Sequence, residues 1–167
     1  MTDPNVHRPE WDHELEDPPF RSRAMRLGPR SGASELGVSL FEIDPGGAIA
    51  PYHIHHGNEE LALVLSGTPQ LRTPGGMRTL EAGAIVAFPR GPAGAHRIAN
   101  HSTEPVRLLI FSTMNFPDVA EHLDTGAWLA VTGPTDGKVF PAGADAPIMD
   151  SVVQAMRAAT EHEPPRD

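Results

Sequence analysis

The chain has 167 residues, with 13 Lys or Arg against 22 Asp or Glu, a formal net charge of −9, and no cysteine. An acidic chain without a basic cluster argues against nucleic acid or an anionic membrane surface as the main partner, and it favours a small molecule. The lack of cysteine excludes disulfides, thiolate metal ligands and a Cys nucleophile. The length suits one domain with extensions, and no apolar run approaches a membrane span.

Residues 1–20 predict an arm on the surface of a domain, because they are polar and contain four prolines. Trp11 is the expected anchor of this arm. No basic segment followed by an apolar stretch opens the chain, so a cytoplasmic location is expected.

Residues 21–113 predict an all-β barrel or sandwich, because short apolar runs alternate with Gly/Pro turns. Pro74-Gly75-Gly76 predicts a tight hairpin between two of the strands. Two runs, 61–65 and 108–111, are apolar on both faces, which indicates that both faces are covered and favours a homodimer. The predicted strands cover 23–27, 36–43, 60–65, 69–73, 84–88, 96–99 and 106–112.

Residues 114–167 predict a C-terminal extension, irregular up to Pro147 and then helical over about 147–160. Pro147 suits a first helical position. Apolar residues then recur at helical spacing, which predicts a docking face; they are Ile148, Val152, Ala155, Met156 and Ala159.

The histidines carry the strongest chemical signal. His53 and His55 are two apart, so on a strand they face the same side and can share one ion. Neutral imidazoles and a carboxylate suit a divalent metal such as Fe, Zn, Mn or Ni. His96 and either Glu59 or Glu60 are the candidates to complete the set.

The chain resembles the cupin superfamily through two motifs. The first is met by Gly47, His53, His55, Glu60 and Gly67. The second is met by Gly83, Pro89, Gly91, His96 and Asn100, with four residues instead of two between Gly91 and His96. The register with Gly67 favours Glu60 over Glu59.

The resemblance implies a double-stranded β-helix, the cupin jelly-roll barrel, and supports a homodimer. It also implies one divalent metal per chain, held by His53, His55, Glu60 and His96 with one or two positions open to ligand. The arm and the extension are not explained by it.

We expect an enzyme acting on a small organic molecule, either a dioxygenase or an isomerase, cyclase or lyase. Candidate catalytic side chains near the metal are Tyr52, Arg72 and Arg90. A metal or small-ligand binding module without activity is the alternative, and a metal-free sugar isomerase or epimerase is a third possibility that would not need all four ligands.

Overall fold

The structure, a computed structural model, describes residues 3–143 and 151–152. Those residues contain 13 strands, one short helix, α1 (Leu27–Arg30), and a 3₁₀ turn (Pro92–Gly94). The strands are β1 (His13–Leu15), β2 (Ser22–Arg26), β3 (Gly37–Ile43), β4 (His53–His55), β5 (Glu60–Ser66), β6 (Gln70–Thr73), β7 (Gly76–Thr79), β8 (Ile85–Phe88), β9 (Arg97–Ala99), β10 (Val106–Ser112), β11 (Asp118–His122), β12 (Ala127–Val131) and β13 (Gly137–Phe140). The seven strands predicted from the apolar runs are confirmed, and so is the hairpin predicted at Pro74–Gly76.

The strands form a jelly-roll barrel of two antiparallel layers. One layer is a six-stranded sheet in the order β1-β2-β3-β10-β5-β8. The other contains the sheets β13-β12-β11-β4 and β7-β6-β9, which are joined by a bridge between His53 and His96. The predicted double-stranded β-helix is therefore confirmed.

The core lies between the two layers and follows the alternation of the strands. On β5, Ala62 and Val64 face inward and are fully buried. Leu71 and Ile98 meet them from the opposite layer. Glu60 has the same parity as Ala62 and Val64, so β5 also turns this carboxylate toward the interior.

The N-terminal arm packs on the outer face of the six-stranded sheet. Val6 and Trp11 pack against a buried cluster of Met25, Leu27 and Leu40, as do Leu65 and Leu109. The predicted anchoring by Trp11 is therefore confirmed, and the arm covers part of the second apolar face of β5 and β10. Farther along that face, Ile85 is left 64% exposed. The homodimer stays a prediction.

The expectation of irregular structure up to residue 147 is wrong, because β11, β12 and β13 lie in this stretch. Strand β11 pairs with β4, with His122 opposite His53 and Ala120 opposite His55. The extension thus adds a strand directly beside the predicted ligands. The helix predicted over 147–160 lies outside the described residues except at 151 and 152, and the described residues include no helix long and apolar enough to cross a membrane.

Candidate metal centre

Strand β4 and the bridge next to it bring His53, His55 and His96 together. His53 and His96 are an antiparallel pair, in which each backbone N–H donates to the other's carbonyl at 3.1 and 2.9 Å. Residues directly opposite on paired strands share a face, and the two ring centroids are accordingly 4.5 Å apart. The ring of His55 lies 5.0 Å from that of His53.

Glu60 adds a carboxylate from the start of β5. Its Oε2 lies 3.4 Å from His96 Nε2 and 3.6 Å from His55 Nε2. One ligand atom each of His53, Glu60 and His96 lie within 4.8 Å of one another. Glu59 has the opposite parity and is exposed, so of the two candidate glutamates the structure turns Glu60 toward the histidines.

The loop before His96 accommodates the two extra residues of the second motif by forming the 3₁₀ turn Pro92–Gly94. A Cβ on Gly94 would lie 1.7 Å from the carbonyl oxygen of Pro89, so only glycine fits this close approach. His96 emerges from the turn with 4% exposure and stacks on Phe88 at a centroid distance of 3.8 Å.

Each of the three imidazoles has its Nδ1 held by a hydrogen-bond acceptor. His53 Nδ1 donates to the Pro51 carbonyl at 2.9 Å, and His96 Nδ1 donates to the Gly94 carbonyl at 2.9 Å. His55 Nδ1 lies 2.5 Å from the Asp118 carboxylate. Because these oxygens accept a proton from Nδ1, the neutral rings are left with their lone pairs on Nε2, the atom a metal would use.

Burial and repulsion by its neighbours favour the uncharged form of the His53 imidazole, which is the form that binds a metal. Burial, reinforced by His96 and His55, lowers the pKa of His53 to about 4. Burial of Glu60 raises its pKa, but a hydrogen bond with His96 and the nearby imidazoles outweigh this effect and leave the pKa below its ordinary value. At neutral pH His53 is therefore uncharged and Glu60 is ionised.

The distances fit a divalent metal. Ligands at about 2.1 Å from a tetrahedral ion are about 3.4 Å from one another. The separations of 3.4 and 3.6 Å between Glu60 Oε2 and two imidazole nitrogens match this spacing. Nitrogen and carboxylate donors of this kind suit Fe, Zn, Mn or Ni and do not select among them.

A cavity of about 90 Å³ adjoins the cluster. The walls are mainly apolar, with Phe41 and Ile110 among them, and the polar part of the lining is His53, Glu60 and His96. This volume holds a few atoms of a ligand beside the metal position, and the apolar walls limit the entry of water.

Two polar residues of the site were missed by the sequence analysis, and both lie on β11. Asp118 is 2% exposed, and besides His55 it accepts the Gly57 N–H at 2.7 Å. His122 is half-buried, with its ring centroid 6.3 Å from that of His53, and burial, reinforced by His55, lowers the pKa of His122. They are four residues apart, so on a strand their side chains face the same side, and this spacing was the available signal.

The three candidate catalytic residues lie outside the cavity. Tyr52 is buried in a separate cluster with Ile54 and Ala95. Arg72 lies over the Tyr52 ring at 3.9 Å and forms two hydrogen bonds with Asp124. Arg90 is exposed in the turn before Pro92. A catalytic role for any of them stays a prediction.

Comparison with known proteins agrees with the barrel and with the two motifs. A sequence model of the cupin domain family matches residues 39–112. The chain is a member of the cupin superfamily. The matched segment of this cupin contains all four predicted ligands but ends before β11.

Among solved structures, this cupin is similar to a sugar phosphate isomerase candidate from Acidithiobacillus ferrooxidans. The two are 27% identical, with a TM-score of 0.75 over 86% of this chain and 91% of the other. A cupin sugar phosphate isomerase from Silicibacter pomeroyi, 24% identical with a TM-score of 0.68 over 77% and 82% of the chains, shares the fold.

Among curated relatives, auxin-binding protein ABP19b of Prunus persica is 39% identical over 67 residues, 36% of this chain. The match spans about a third (32%) of the relative's length.

Proposed function

We propose that this cupin is a metal-dependent enzyme that isomerises or cleaves a small hydroxy-carbonyl compound. The observation that carries the proposal is the convergence of His53, His55, Glu60 and His96 beside an apolar cavity. A metal held by these four ligands would bind substrate oxygens by expanding its coordination to five or six, and it would polarise them as a Lewis acid.

The cavity limits what part of the substrate is enclosed. A volume of about 90 Å³ fits only the reacting atoms, so the rest of the molecule would lie toward the mouth. The described lining contains no Lys or Arg, so a phosphate group would have to lie outside the cavity. The likeness to the Acidithiobacillus ferrooxidans protein supports a sugar-like substrate, and the apolar walls support a non-phosphorylated reacting end.

His122 is the residue we propose for proton transfer. Its ring faces the same side of the sheet as its cross-strand neighbour His53, and its lowered pKa keeps it neutral at pH 7. A neutral imidazole 6.3 Å from the His53 ring could take a proton from a carbon or hydroxyl of the part of the substrate that extends beyond the cavity and return it to a neighbouring atom.

The test uses apoprotein reloaded separately with Mn²⁺, Zn²⁺, Ni²⁺ or Fe²⁺ and incubated in D₂O with aldoses, ketoses and 2-hydroxy acids. NMR should show a metal-dependent product carrying deuterium at carbon, without oxygen uptake. Substrate-dependent oxygen uptake on Fe²⁺ would replace the proposal with a dioxygenase. Saturable binding without turnover for any metal would favour the non-catalytic binding module.

A further inference from the structure

Asp118 is a buried carboxylate whose position calls for an explanation beyond folding. It lies on β11, past the segment that the cupin domain family model matches. At 2% exposure its charge loses most of its hydration, which is costly unless the charge is paired and hydrogen-bonded. Both oxygens are used, Oδ2 by His55 Nδ1 at 2.5 Å and Oδ1 by the Gly57 N–H at 2.7 Å.

The hydrogen bond to Asp118 makes His55 different from the other two histidines. His53 and His96 donate Nδ1–H to neutral backbone carbonyls. His55 donates to an ionised carboxylate, and such charge-assisted bonds are shorter and roughly twice as strong as neutral ones. A carboxylate behind an imidazole also increases the electron density on the opposite nitrogen, here the Nε2 that points toward Glu60.

We propose that Asp118 is a positioning residue that fixes His55 in the Nδ1–H tautomer and makes it the strongest imidazole donor of the metal site. The inference rests on the metal site of the proposed function and goes beyond the four ligands. It assigns the β11 strand a role in metal affinity, because β11 pairs with β4 and places the Asp118 carboxylate against His55 Nδ1.

The competing explanation is that Asp118 only fastens the turn at Gly57. The substitution Asp118→Asn separates the two roles. Asparagine has a single acceptor oxygen, so if that oxygen keeps the bond to the Gly57 N–H, its NH₂ group faces His55 Nδ1. The ring must then carry its proton on Nε2, which removes the lone pair from the metal position while the turn keeps its hydrogen bond.

The experiment is a Co²⁺ titration of the full-length apoprotein, followed by the visible d–d absorption and by competition with a chelator. Asp118→Asn should weaken Co²⁺ binding by about 10–100-fold and change the absorption spectrum, while circular dichroism stays as in the wild type. The matched control is Glu121→Gln, which removes a carboxylate from the same strand but from the other face, 3.9 Å from His56. It should leave affinity and spectrum unchanged.

Wild-type affinity and an unchanged spectrum in Asp118→Asn would overturn the inference and leave the metal site standing. If the wild type itself fails to bind Co²⁺, the proposed metal site is refuted, and this inference with it. Should Asp118→Asn not fold, long-range ¹H–¹⁵N NMR of the wild-type apoprotein decides. An Nδ1–H tautomer of His55 with a far-downfield proton supports the role, and an Nε2–H tautomer overturns it.

Discussion

Replacing Glu60 by glutamine should remove most of the stabilisation that metal gives the protein. Metal present at 100 times its Kd adds about 2.7 kcal/mol to the free energy of unfolding. In a domain of this size each kcal/mol raises Tm by about 2–4 °C, so the wild type should gain about 5–10 °C. Loss of the only carboxylate in the set should weaken binding by at least about 100-fold, since even loss of a supporting residue costs 10–100-fold.

At the same metal concentration the Glu60→Gln variant would then keep only about 0.4 kcal/mol, or about 1 °C. The assay is differential scanning fluorimetry of each apoprotein with and without metal, so that any change in the stability of the apoprotein cancels. Glu59→Gln is the matched control, because Glu59 is the adjacent, exposed glutamate. A full metal-induced shift in Glu60→Gln, or its loss in Glu59→Gln, would refute the assignment of the carboxylate ligand.

Three further predictions concern the surroundings of the ligands. Gly94→Ala places a Cβ 1.7 Å from the Pro89 carbonyl oxygen and should destabilise the apoprotein by about 2–3 kcal/mol in denaturant titrations. It should also lower metal content, because the Gly94 carbonyl accepts the hydrogen bond of His96 Nδ1. Gly75→Ala, whose Cβ would make only an ordinary contact of 3.6 Å with Thr73 Oγ1, is the control and should do neither. The free energy of unfolding of the apoprotein should fall by about 2 kcal/mol between pH 7 and pH 5, because the pKa of His53 is near 6.5 in the unfolded chain and only about 4 in the folded protein. A His53→Gln variant with the same pH dependence would argue against this cause. His122→Ala should keep its full metal content but lower kcat by at least about 100-fold, and undiminished turnover would remove His122 from the mechanism.

The sequence was sufficient to predict the barrel between residues 21 and 113, because the apolar positions of its strands are the ones that pack in the core. Ala62 and Val64 are apolar since they face the core, and the parity of β5 carries Glu60 with them. The pairing of His53 with His96, by contrast, depends on a long-range bridge that no local pattern encodes.

Strand β11 could not be recognised from periodicity, because most of its inward side chains are polar. Its inward positions are Asp118, Ala120 and His122, of which two are polar and lie beside His55 and His53. The outward Val119 is 37% exposed, so the usual apolar-in, polar-out pattern is absent. Asp118 and His122 were missed because polar side chains stand at positions where a strand is normally recognised by apolar ones.

The most direct test of the central claim is elemental analysis of tag-free protein, purified without chelator and then loaded in turn with Fe²⁺, Mn²⁺, Ni²⁺ and Zn²⁺. The account predicts one tightly bound ion per chain for at least one of these metals in the wild type, and a loss of most of that ion in His96→Ala. Wild-type protein that retains no metal after any loading, or a His96→Ala variant that retains all of it, would contradict the account.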